Sequence, residues 1–376
     1  MSVSPQAVST KSEPNKTATT KMVSTKVSTR ILNAKSLCVL AAIALYLATI
    51  ASISVGPMNI SFLDSIKSLL PSSIFSGNSA DLPTHITMIV QQVRLPRTLL
   101  AISVGGILAI CGAVMQGLFR NPLADPGIIG VSSGAALGAA IAIVLFSELA
   151  TSYPTLLLFG TVPVFACFGG TIITFAVYRL GTGVNGTSVT MMLLAGVAIA
   201  ALTGAALGLL NYFADDQALR DLSLWTMGSL AGANPRSLWL AFITLIVLFA
   251  AYYRDADKLN AMLLGEAEAR HMGINVQSLK RRLIILAAAG VGVTVALAGI
   301  IGFIGLIVPH LARMLIGPNF RSLLPVTLFL GALLLLVADM LARTIVAPLD
   351  MPVGIVTALL GAPFFIWLLI KQKGRL

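Results

Sequence analysis

The chain carries ten apolar runs that are long enough, or nearly long enough, to cross a lipid bilayer as helices. A helix that rises about 1.5 Å per residue needs about 20 residues to cross about 30 Å of hydrocarbon. The runs occupy roughly residues 37–56, 95–117, 127–147, 155–178, 188–212, 237–253, 282–300, 303–316, 323–343 and 352–370. Only 10% of the residues are charged, against about a quarter in a soluble domain, so the chain cannot cover a water-facing surface. Because the runs are continuous and lack the alternation of barrel strands, the sequence predicts an all-α integral membrane protein with about ten transmembrane helices.

The N-terminal segment, residues 1–36, differs from the rest of the chain. It is rich in Ser, Thr and Lys, and it holds six basic residues but one acidic residue, Glu13. Such a segment cannot bury enough apolar surface to order itself, so we predict a disordered basic tail. The apolar run from Leu37 lacks a convincing cleavage site and is expected to remain as the first membrane helix. Residues 37–376 then form the transmembrane domain.

Basic residues are distributed unevenly between the two sides of the predicted bundle. With ten spans both termini share one side, and that side holds 19 of the 25 Lys and Arg residues. The positive-inside rule therefore predicts cytoplasmic termini in a multi-pass membrane protein. The net charge of +11 is explained by this topology, so it gives no reason to expect a nucleic-acid partner.

Two segments match enzyme motifs in sequence pattern but not in structural context. Gly130 to Gly134 fits GxSxG and Gly181 to Gly186 fits GxGxxG, but both adjoin membrane helices rather than the strands that these motifs require. The second is expected to be a flexible loop. The chain has no Walker A or HExxH motif, and its three cysteines and three histidines lack metal-ligand spacing. We therefore expect no catalytic residue, metal or cofactor in this chain, and any ATP must be bound by a partner.

Glycines recur at four-residue spacing in two predicted helices. One helix holds Gly130, Gly134 and Gly138, and another holds Gly204 and Gly208. Small residues at this spacing let helix backbones approach closely. Tight packing within the bundle is the favoured interpretation, and the alternative is that the second helix lines a wide pathway.

A few charged residues lie at the predicted outer ends of helices. Asp339 and Arg343 are four residues apart, so they share one helix face and are predicted to pair within the membrane, with a structural or a functional role. Arg94 and Arg97 precede the second helix, against the positive-inside trend. Exposed arginines at this position are suited to bidentate binding of carboxylates on a partner, and lipid anchoring is the alternative.

The longest predicted cytoplasmic connection, residues 254–282, interleaves apolar and charged residues. Residues 257–264 and 266–272 are predicted to form two short helices separated by a glycine. Such a pair could seat in a groove on a cytoplasmic subunit. A merely solvated loop is less attractive, because Met262, Met272 and the leucines between them would be left without burial.

Six segments carry a resemblance to a known family. They are Arg94-Leu-Pro-Arg97, Gly112–Gly127 (GAVMQGLFRNPLADPG), Leu194–Ala198 (LAGVA), Gly265–Arg270 (GEAEAR), Gly302–His310 (GFIGLIVPH) and Pro352–Pro363 (PVGIVTALLGAP). In these segments the chain resembles the FecCD-type permeases of ABC importers for haem, ferric siderophores and cobalamin. The resemblance covers the chain from about residue 90 to its end.

The resemblance implies a fold and a set of partners. The fold would be that of a cobalamin-permease-like type II ABC importer. The permease would form a homodimer in the lipid of the bacterial inner membrane. Its partners would be two cytoplasmic ATPase subunits that bind ATP and Mg²⁺ and a periplasmic binding protein that delivers the ligand. The chain itself would be a transport subunit and not an enzyme.

The resemblance also implies roles for particular residues. Those for binding-protein docking are Arg94, Arg97 and Arg343. The coupling helices match residues 257–273 and include Leu264, Gly265, Glu266, Glu268, Arg270, His271, Met272 and Gly273. The cytoplasmic gate matches Asn121, Leu123 and Thr190.

The identity of the transported ligand is the most detailed of these expectations. The residues around Arg120 and the stretch from Leu219 to Leu230 look most like haem permeases, so haem (hemin) is favoured over a ferric siderophore or cobalamin. A stand-alone secondary transporter is the alternative from another class. A proton-coupled carrier would want several acidic residues at mid-membrane, and Asp339 is the only candidate in the sequence.

Overall fold

The computed structural model describes residues 33–58, 60–69, 83–146, 160–183 and 186–373. These residues form helices α1 to α14, a 3₁₀ turn and one short hairpin. The helices are Ala34–Ser54 (α1), Phe62–Leu69 (α2), Thr84–Phe119 (α3), Val131–Leu145 (α4), Thr161–Leu180 (α5), Val189–Phe213 (α6), Asp216–Thr226 (α7), Pro235–Arg254 (α8), Ala256–Leu264 (α9), Glu266–His271 (α10), Val276–Ala298 (α11), Ile304–Ile316 (α12), Phe320–Ala342 (α13) and Val353–Lys373 (α14). The 3₁₀ turn is Pro126–Ile129, and the hairpin pairs Thr182–Gly183 with Gly186–Thr187.

The predicted membrane helices are confirmed. Seven helices are long and apolar enough to span a membrane, namely α1, α3, α5, α6, α8, α11 and α13, and α4, α12 and α14 are shorter apolar helices. The start of the predicted fourth helix, residues 155–159, lies outside the described residues.

Side-chain caps fix where several of these helices begin. Asn33, Ser188, Asn234 and Asn275 each accept a hydrogen bond from a backbone N–H in the first turn of the helix that follows, which satisfies donors that a helix start leaves unpaired. Because Asn33 caps α1, the membrane domain begins three residues before the predicted boundary at residue 37. Most of the predicted tail, residues 1–32, lies outside the described residues.

Helix α3 is the central helix of the bundle. Its residues from Leu100 to Leu118 are almost all buried, and α8, α11, α12 and α13 pack around it. The packing with α13 is close because Gly105 faces the backbone carbonyl of Gly331, where a Cβ atom would come within 2.5 Å of the oxygen. A side chain at Gly105 would therefore separate the two helices.

The glycine spacing has different consequences in the two helices. Gly134 and Gly138 lie against the backbone of α5, so packing within the bundle is the correct interpretation for α4. Gly204 and Gly208 on α6 face open space within the described structure. That pair does not pack against other helices of the same chain.

The bundle has two chemically distinct ends. The arginine end holds the C-terminal ends of α1 and α13, where Arg94 and Arg343 contact the last turn of α1. The opposite end, here called the short-helix end, holds α9 and α10 together with the start of α13, which α9 contacts through Asn260 and Asn319. The two ends contain the candidate functional residues.

Candidate functional sites

The three arginines predicted for docking are buried, which corrects the expectation that Arg94 and Arg97 are exposed. Arg94, Arg97 and Arg343 are 4%, 6% and 2% exposed. A buried cation is tolerated only with partners, because an unpaired charge is costly to remove from water. Together with Asp339 and Asp350 they form what we call the arginine cluster.

Arg94 is held by backbone carbonyls of the segment that ends α1. Its Nη1 atom donates to the carbonyl oxygens of Ile53 and Ser54 at 3.0 and 2.6 Å, and Nη2 donates to that of Met58 at 2.5 Å. The last carbonyls of a helix lack partners within it and lie at the negative end of its dipole, so they favour a cation. Gly56 leaves room for the guanidinium, since a Cβ atom there would lie 2.9 Å from Nη2.

Asp339 links the other two arginines. Its Oδ1 atom accepts a hydrogen bond from Arg97 Nε at 2.9 Å, and its Oδ2 atom lies 3.7 Å from Arg343 Nε. Arg343 also donates to the carbonyl and the hydroxyl of Ser52. The residue pair at 339 and 343 therefore belongs to a larger buried network that joins α1, α3 and α13.

Asp350 is the accessible member of the cluster. Its side chain is 47% exposed, and its Oδ2 atom lies 3.1 Å from Arg97 Nη1. Beside it lies a cavity of about 200 Å³, lined by all three arginines and by apolar residues such as Met58 and Val93. Arg94 has no carboxylate partner among the described residues, so the cluster holds more cations than anions.

A π-helical turn, Ile89–Arg94, precedes the cluster within α3. Such turns are rare and occur frequently at functional sites. The wider turn ends at Arg94, just before Pro96, and it extends α3 back to Thr84. The helix start predicted from the sequence was residue 95, because this stretch is less apolar than the run that follows.

Helices α9 and α10 lie at the short-helix end. Gly265 separates them with a φ of 133°, a conformation that favours glycine. Leu259 and Met262 pack into the core, so Met262 is not available to a partner. Leu264 and Met272 are 70% and 63% exposed. The pair of helices therefore presents two large apolar side chains to its surroundings.

Ion pairs join this helix pair to the membrane helices. Glu266 Oε1 lies 2.6 Å from Lys280 Nζ on α11, and Asp255 contacts Arg282 on the same helix. Asp257 accepts two hydrogen bonds from Arg321 on α13, at 2.6 and 2.5 Å. These bonds hold the pKa of the Asp257 carboxyl below its usual value.

The remaining residues predicted for coupling are mostly on the surface. Glu268, Arg270, His271 and Gly273 are exposed, and Arg270 lies 3.8 Å from Glu266. Gly273 has a φ of 79° in the turn that leads to α11. The structure thus brings the predicted residues together on one helix pair, without showing what they contact.

Two of the three predicted gate residues lie together. Asn121 Oδ1 accepts a hydrogen bond from the backbone N–H of Leu123 at 2.9 Å, in the turn after α3. Thr190 is exposed on the first turn of α6, and no hydrogen bond in the described part of the chain joins it to Asn121. Asp125 follows in the same connection, and burial raises the pKa of its carboxyl although Gly127 N–H donates to it.

The contacts beneath this turn were not predicted from the sequence. Arg313 on α12 donates to Gln116 Oε1 at 2.8 Å and to the Ala113 carbonyl at 3.1 Å. Gln116 in turn donates to the Leu306 carbonyl at 2.9 Å. These bonds tie the end of α3 to α12, and no short-range pattern could reveal them because the partners are about two hundred positions apart.

The described residues of the predicted loop from Gly181 to Gly186 form a short pair of strands. Thr182 pairs with Thr187 and Gly183 with Gly186 in antiparallel register, and residues 184 and 185 lie outside the described residues. The Thr187 N–H donates to Gln277 Oε1 on α11. These paired residues are therefore fixed to α11, which differs from the flexible loop expected there.

Helix α6 presents a broad apolar surface that the other described helices leave uncovered. Leu194, Val197, Leu202 and Leu209 are all mostly exposed. Part of α14 is similar, with Leu359 and Trp367 among its exposed residues. Within the described residues no group of three or more His, Cys, Asp or Glu side chains could hold a metal ion.

The bundle of apolar helices, with short charged helices at one end and buried arginines at the other, is that of a multi-helix membrane protein. The chain belongs to the FecCD transport family, whose family model matches residues 44–371. This confirms the family indicated by the six sequence segments.

Two curated relatives and one solved structure place the chain within this family. It is 44% identical to the hemin transport system permease protein HmuU of Yersinia pestis over 331 residues. The aligned residues are 88% of this chain and 94% of that protein. It is 39% identical over 288 residues to the vitamin B12 import system permease protein BtuC of Klebsiella pneumoniae, covering 77% and 84% of the two chains. An inward-facing metal-chelate type ABC transporter matches with a TM-score of 0.74 and 31% identity, covering 90% of this chain and all of that one. The chain is therefore a permease of a FecCD-type ABC importer.

Proposed function

We propose that the chain is the permease of an ATP-driven importer that moves hemin from the periplasm to the cytoplasm. The observation that carries this proposal is the 44% identity to a hemin permease over 94% of that protein, higher than the 39% identity to the vitamin B12 permease. Ferric siderophores and cobalamin are the competing ligands of the same family.

The ligand is tested by stimulation of ATP hydrolysis in liposomes. The permease is reconstituted with its ATPase and its binding protein, and the binding protein is loaded with hemin, a ferric siderophore or cobalamin. We expect hemin to give the largest stimulation over the unloaded binding protein. Equal or greater stimulation by cobalamin, with hemin ineffective, would reject the hemin assignment and leave the permease assignment intact.

The proposed orientation places the arginine end in the periplasm and the short-helix end in the cytoplasm. The uneven distribution of basic residues supports it, because 19 of 25 belong to the side of the short helices and both termini. A C-terminal fusion to a reporter active only in the cytoplasm should be active. An active periplasmic reporter at the same position would reverse the orientation.

The arginine cluster is proposed to dock the binding protein through an exchange of carboxylates. Asp350 is half-exposed and covers Arg97, so a glutamate or aspartate of the binding protein can take its place. Arg94 brings positive charge without a carboxylate of its own, which favours an acidic partner surface. The deeper contacts of Arg343 with Ser52 and Asp339 would keep the cluster in place during the exchange.

Coupling to the ATPase is proposed to run through α9 and α10. The exposed Leu264 and Met272 provide apolar side chains for a groove on the ATPase. The ion pairs from Glu266 to α11 and from Asp257 to α13 would transmit a displacement of the short helices to the membrane helices. Alternation of access then follows from movement of α11 and α13.

The pathway is proposed to lie between two copies of the chain. The exposed surface of α6, with open space beside Gly204 and Gly208, supports a contact with a second copy. Asn121, Leu123 and Thr190 would close the pathway at the short-helix end. Mostly apolar walls would bind hemin weakly and allow its release.

A stand-alone secondary transporter is less well supported. Its candidate proton carrier, Asp339, is fully buried and engaged by both Arg97 and Arg343. Protonation of this carboxylate would remove the shared buried counter-ion of both arginines, so Asp339 is poorly suited to carry protons. Uptake by the isolated chain, driven by a proton gradient without ATP, would support the carrier and reject the ABC mechanism.

A further inference from the structure

A groove of about 1040 Å³ lies between α5 and α11, near the short-helix end. None of the residues assigned to docking, coupling or gating lines it. Its two charged residues, Arg179 and Arg281, are both basic, and its walls also hold hydroxyl and apolar side chains. The groove therefore has the chemistry of a site for an amphiphilic anion.

Arg281 belongs to three consecutive cations near the start of α11. Lys280 pairs with Glu266, and Arg282 contacts Asp255. Arg281 is exposed, and no hydrogen bond or ion pair in the described structure engages it. Cations near a helix N-terminus lie at the positive end of its dipole, so this arrangement favours an added anion.

Arg179 faces the same groove from the last turn of α5. Its guanidinium lies 6.0 Å from the centre of the Phe175 ring, and it has no carboxylate partner within the described ranges. Both arginines thus offer donors to the groove. In the bilayer, basic pockets between membrane helices bind anionic lipid headgroups.

Thr174 is a second, independent sign of a ligand. It lines the groove and is only 6% exposed, but its hydroxyl has no hydrogen-bond partner in the described structure. A buried hydroxyl without a partner is unfavourable, and native structures usually satisfy such groups. It lies five residues before Arg179, which corresponds to about 7.5 Å along the helix axis.

We propose that this groove binds one anionic phospholipid of the surrounding bilayer. The phosphate would contact Arg179 and Arg281, an ester carbonyl would accept a hydrogen bond from the Thr174 hydroxyl, and an acyl chain would lie along Ile285 and Ala288. The order of cations, hydroxyl and apolar side chains along the groove matches the order of phosphate, ester and chain in a phospholipid. The proposal depends on the membrane location of the chain and not on the identity of the transported ligand.

The test compares an anionic phospholipid with a zwitterionic one. The full chain is purified in detergent, depleted of lipid and titrated with phosphatidylglycerol or phosphatidylcholine bearing the same acyl chains. Bound lipid is counted by native mass spectrometry, and thermal unfolding is followed in parallel. We expect preferential binding of phosphatidylglycerol and an unfolding temperature that rises with its concentration.

Substitution of both arginines, Arg179→Gln with Arg281→Gln, should weaken phosphatidylglycerol binding about tenfold or more and leave phosphatidylcholine binding unchanged. Arg254→Gln is the matched control, because Arg254 is an exposed cation in the last turn of α8 outside the groove. Binding by that variant should equal that of the wild type. Equal phosphatidylglycerol binding by the double variant and the wild type would overturn the proposal.

Further measurements distinguish a bound lipid from a simple anion and from a protein contact. Thr174→Val keeps the shape of the side chain, so it should lower lipid affinity without lowering the unfolding temperature of the lipid-free protein. Stabilisation by inorganic phosphate equal to that by phosphatidylglycerol would overturn the lipid assignment in favour of a simple anion site. Loss of ATPase co-purification by Arg281→Gln, with lipid binding intact, would overturn it in favour of a protein contact.

Discussion

At the scale of single residues, the arginine cluster holds one buried carboxylate, Asp339, and one half-exposed carboxylate, Asp350, that a partner's carboxylate could replace. Asp339 is fully buried and contacts both Arg97 and Arg343, whereas Asp350 is half-exposed and contacts Arg97 alone. A buried charge network is costly to disrupt, and an exposed ion pair contributes little to stability. The two aspartates should therefore respond very differently to the same substitution.

Replacement of Asp350 by asparagine should strengthen docking of the binding protein. The substitution removes the carboxylate that competes for Arg97, and Arg97 keeps its buried partner Asp339, so only a small loss of stability is expected. A few-fold lower dissociation constant for the binding protein is expected in reconstituted nanodiscs. Asp216→Asn removes another exposed carboxylate, at the start of α7, and serves as the control. Weaker docking of Asp350→Asn would show that Asp350 positions Arg97 rather than covers it.

Replacement of Asp339 by asparagine should destabilise the folded protein. The substitution leaves two arginines buried without their shared counter-ion, which costs about 3–5 kcal/mol for a broken buried pair. A clear drop in unfolding temperature in detergent is expected, with Asp350→Asn close to wild type. If the two variants unfold alike, the buried network does not stabilise the bundle.

Only part of this cluster could be predicted from the sequence, for a physical reason. Asp339 and Arg343 are four positions apart, and helix geometry alone brings them to one face. Arg97 reaches Asp339 across 242 positions, through the packing of α3 against α13. Burial of the arginines also depends on that packing, so residue type alone led to the expectation of exposed side chains.

At the scale of elements, the short helices α9 and α10 have one face fixed to the bundle and two exposed apolar side chains. Leu259 and Met262 secure the fixed face, while Leu264 and Met272 remain exposed. The sequence indicated both helices from glycine and charge patterns. It could not predict that Met262 is buried and Met272 exposed, because tertiary contacts decide this difference.

Replacement of Leu264 and Met272 by aspartate should abolish association with the ATPase. Charges at these positions would be buried in an apolar groove of the partner without counter-ions. Co-purification with the ATPase is the measurement, and the level of folded permease in the membrane should be unchanged because both side chains are exposed. The volume-conserving change Leu264→Met should retain association. Association that survives both aspartates would place the ATPase contact elsewhere.

The contact between Asp257 and Arg321 makes the attachment of α9 dependent on pH. The pKa of Asp257 is lower in the folded chain than its usual value, so this contact stabilises α9 above the usual pKa of about 4 and is lost as the pH falls through the lowered value. Amide exchange in α9 should be faster in Arg321→Gln than in the wild type at pH 6. The difference should vanish in strong acid. A difference that persists unchanged there would exclude the carboxylate as its cause.

At the scale of the whole molecule, the surface of α6 that the other described helices leave uncovered supports the proposed contact with a second copy. The sequence predicted the helix itself from its apolar run, but not which helices would pack around it, because apolar side chains serve equally against lipid and against protein. The structure shows that Gly204 and Gly208 have open space beside them, while Gly138 lies against the backbone of α5.

Gly208→Leu should therefore spare folding and impair assembly. The new side chain has room within one chain but would obstruct close approach of a second α6. A loss of dimer in detergent, with an unfolding temperature close to wild type for the monomer, is expected. Gly138→Leu should instead prevent folding, since its side chain would collide with the carbonyl of Phe165. Intact dimers and full transport by Gly208→Leu would show that the interface does not include this part of α6.

The attachment of α1 to residues from near the other end of the chain bears on how the protein is made. The last turn of α1 accepts hydrogen bonds from Arg343, which is synthesised 291 positions after Ser52. Asp339 likewise follows Arg97 by 242 positions. During synthesis α1 and α3 must therefore remain in the bilayer, with Arg97 lacking its buried counter-ion, until α13 has been inserted. Chains truncated before α13 should be poor at retaining α1 beside α3, and their early helices should be targets of membrane quality control.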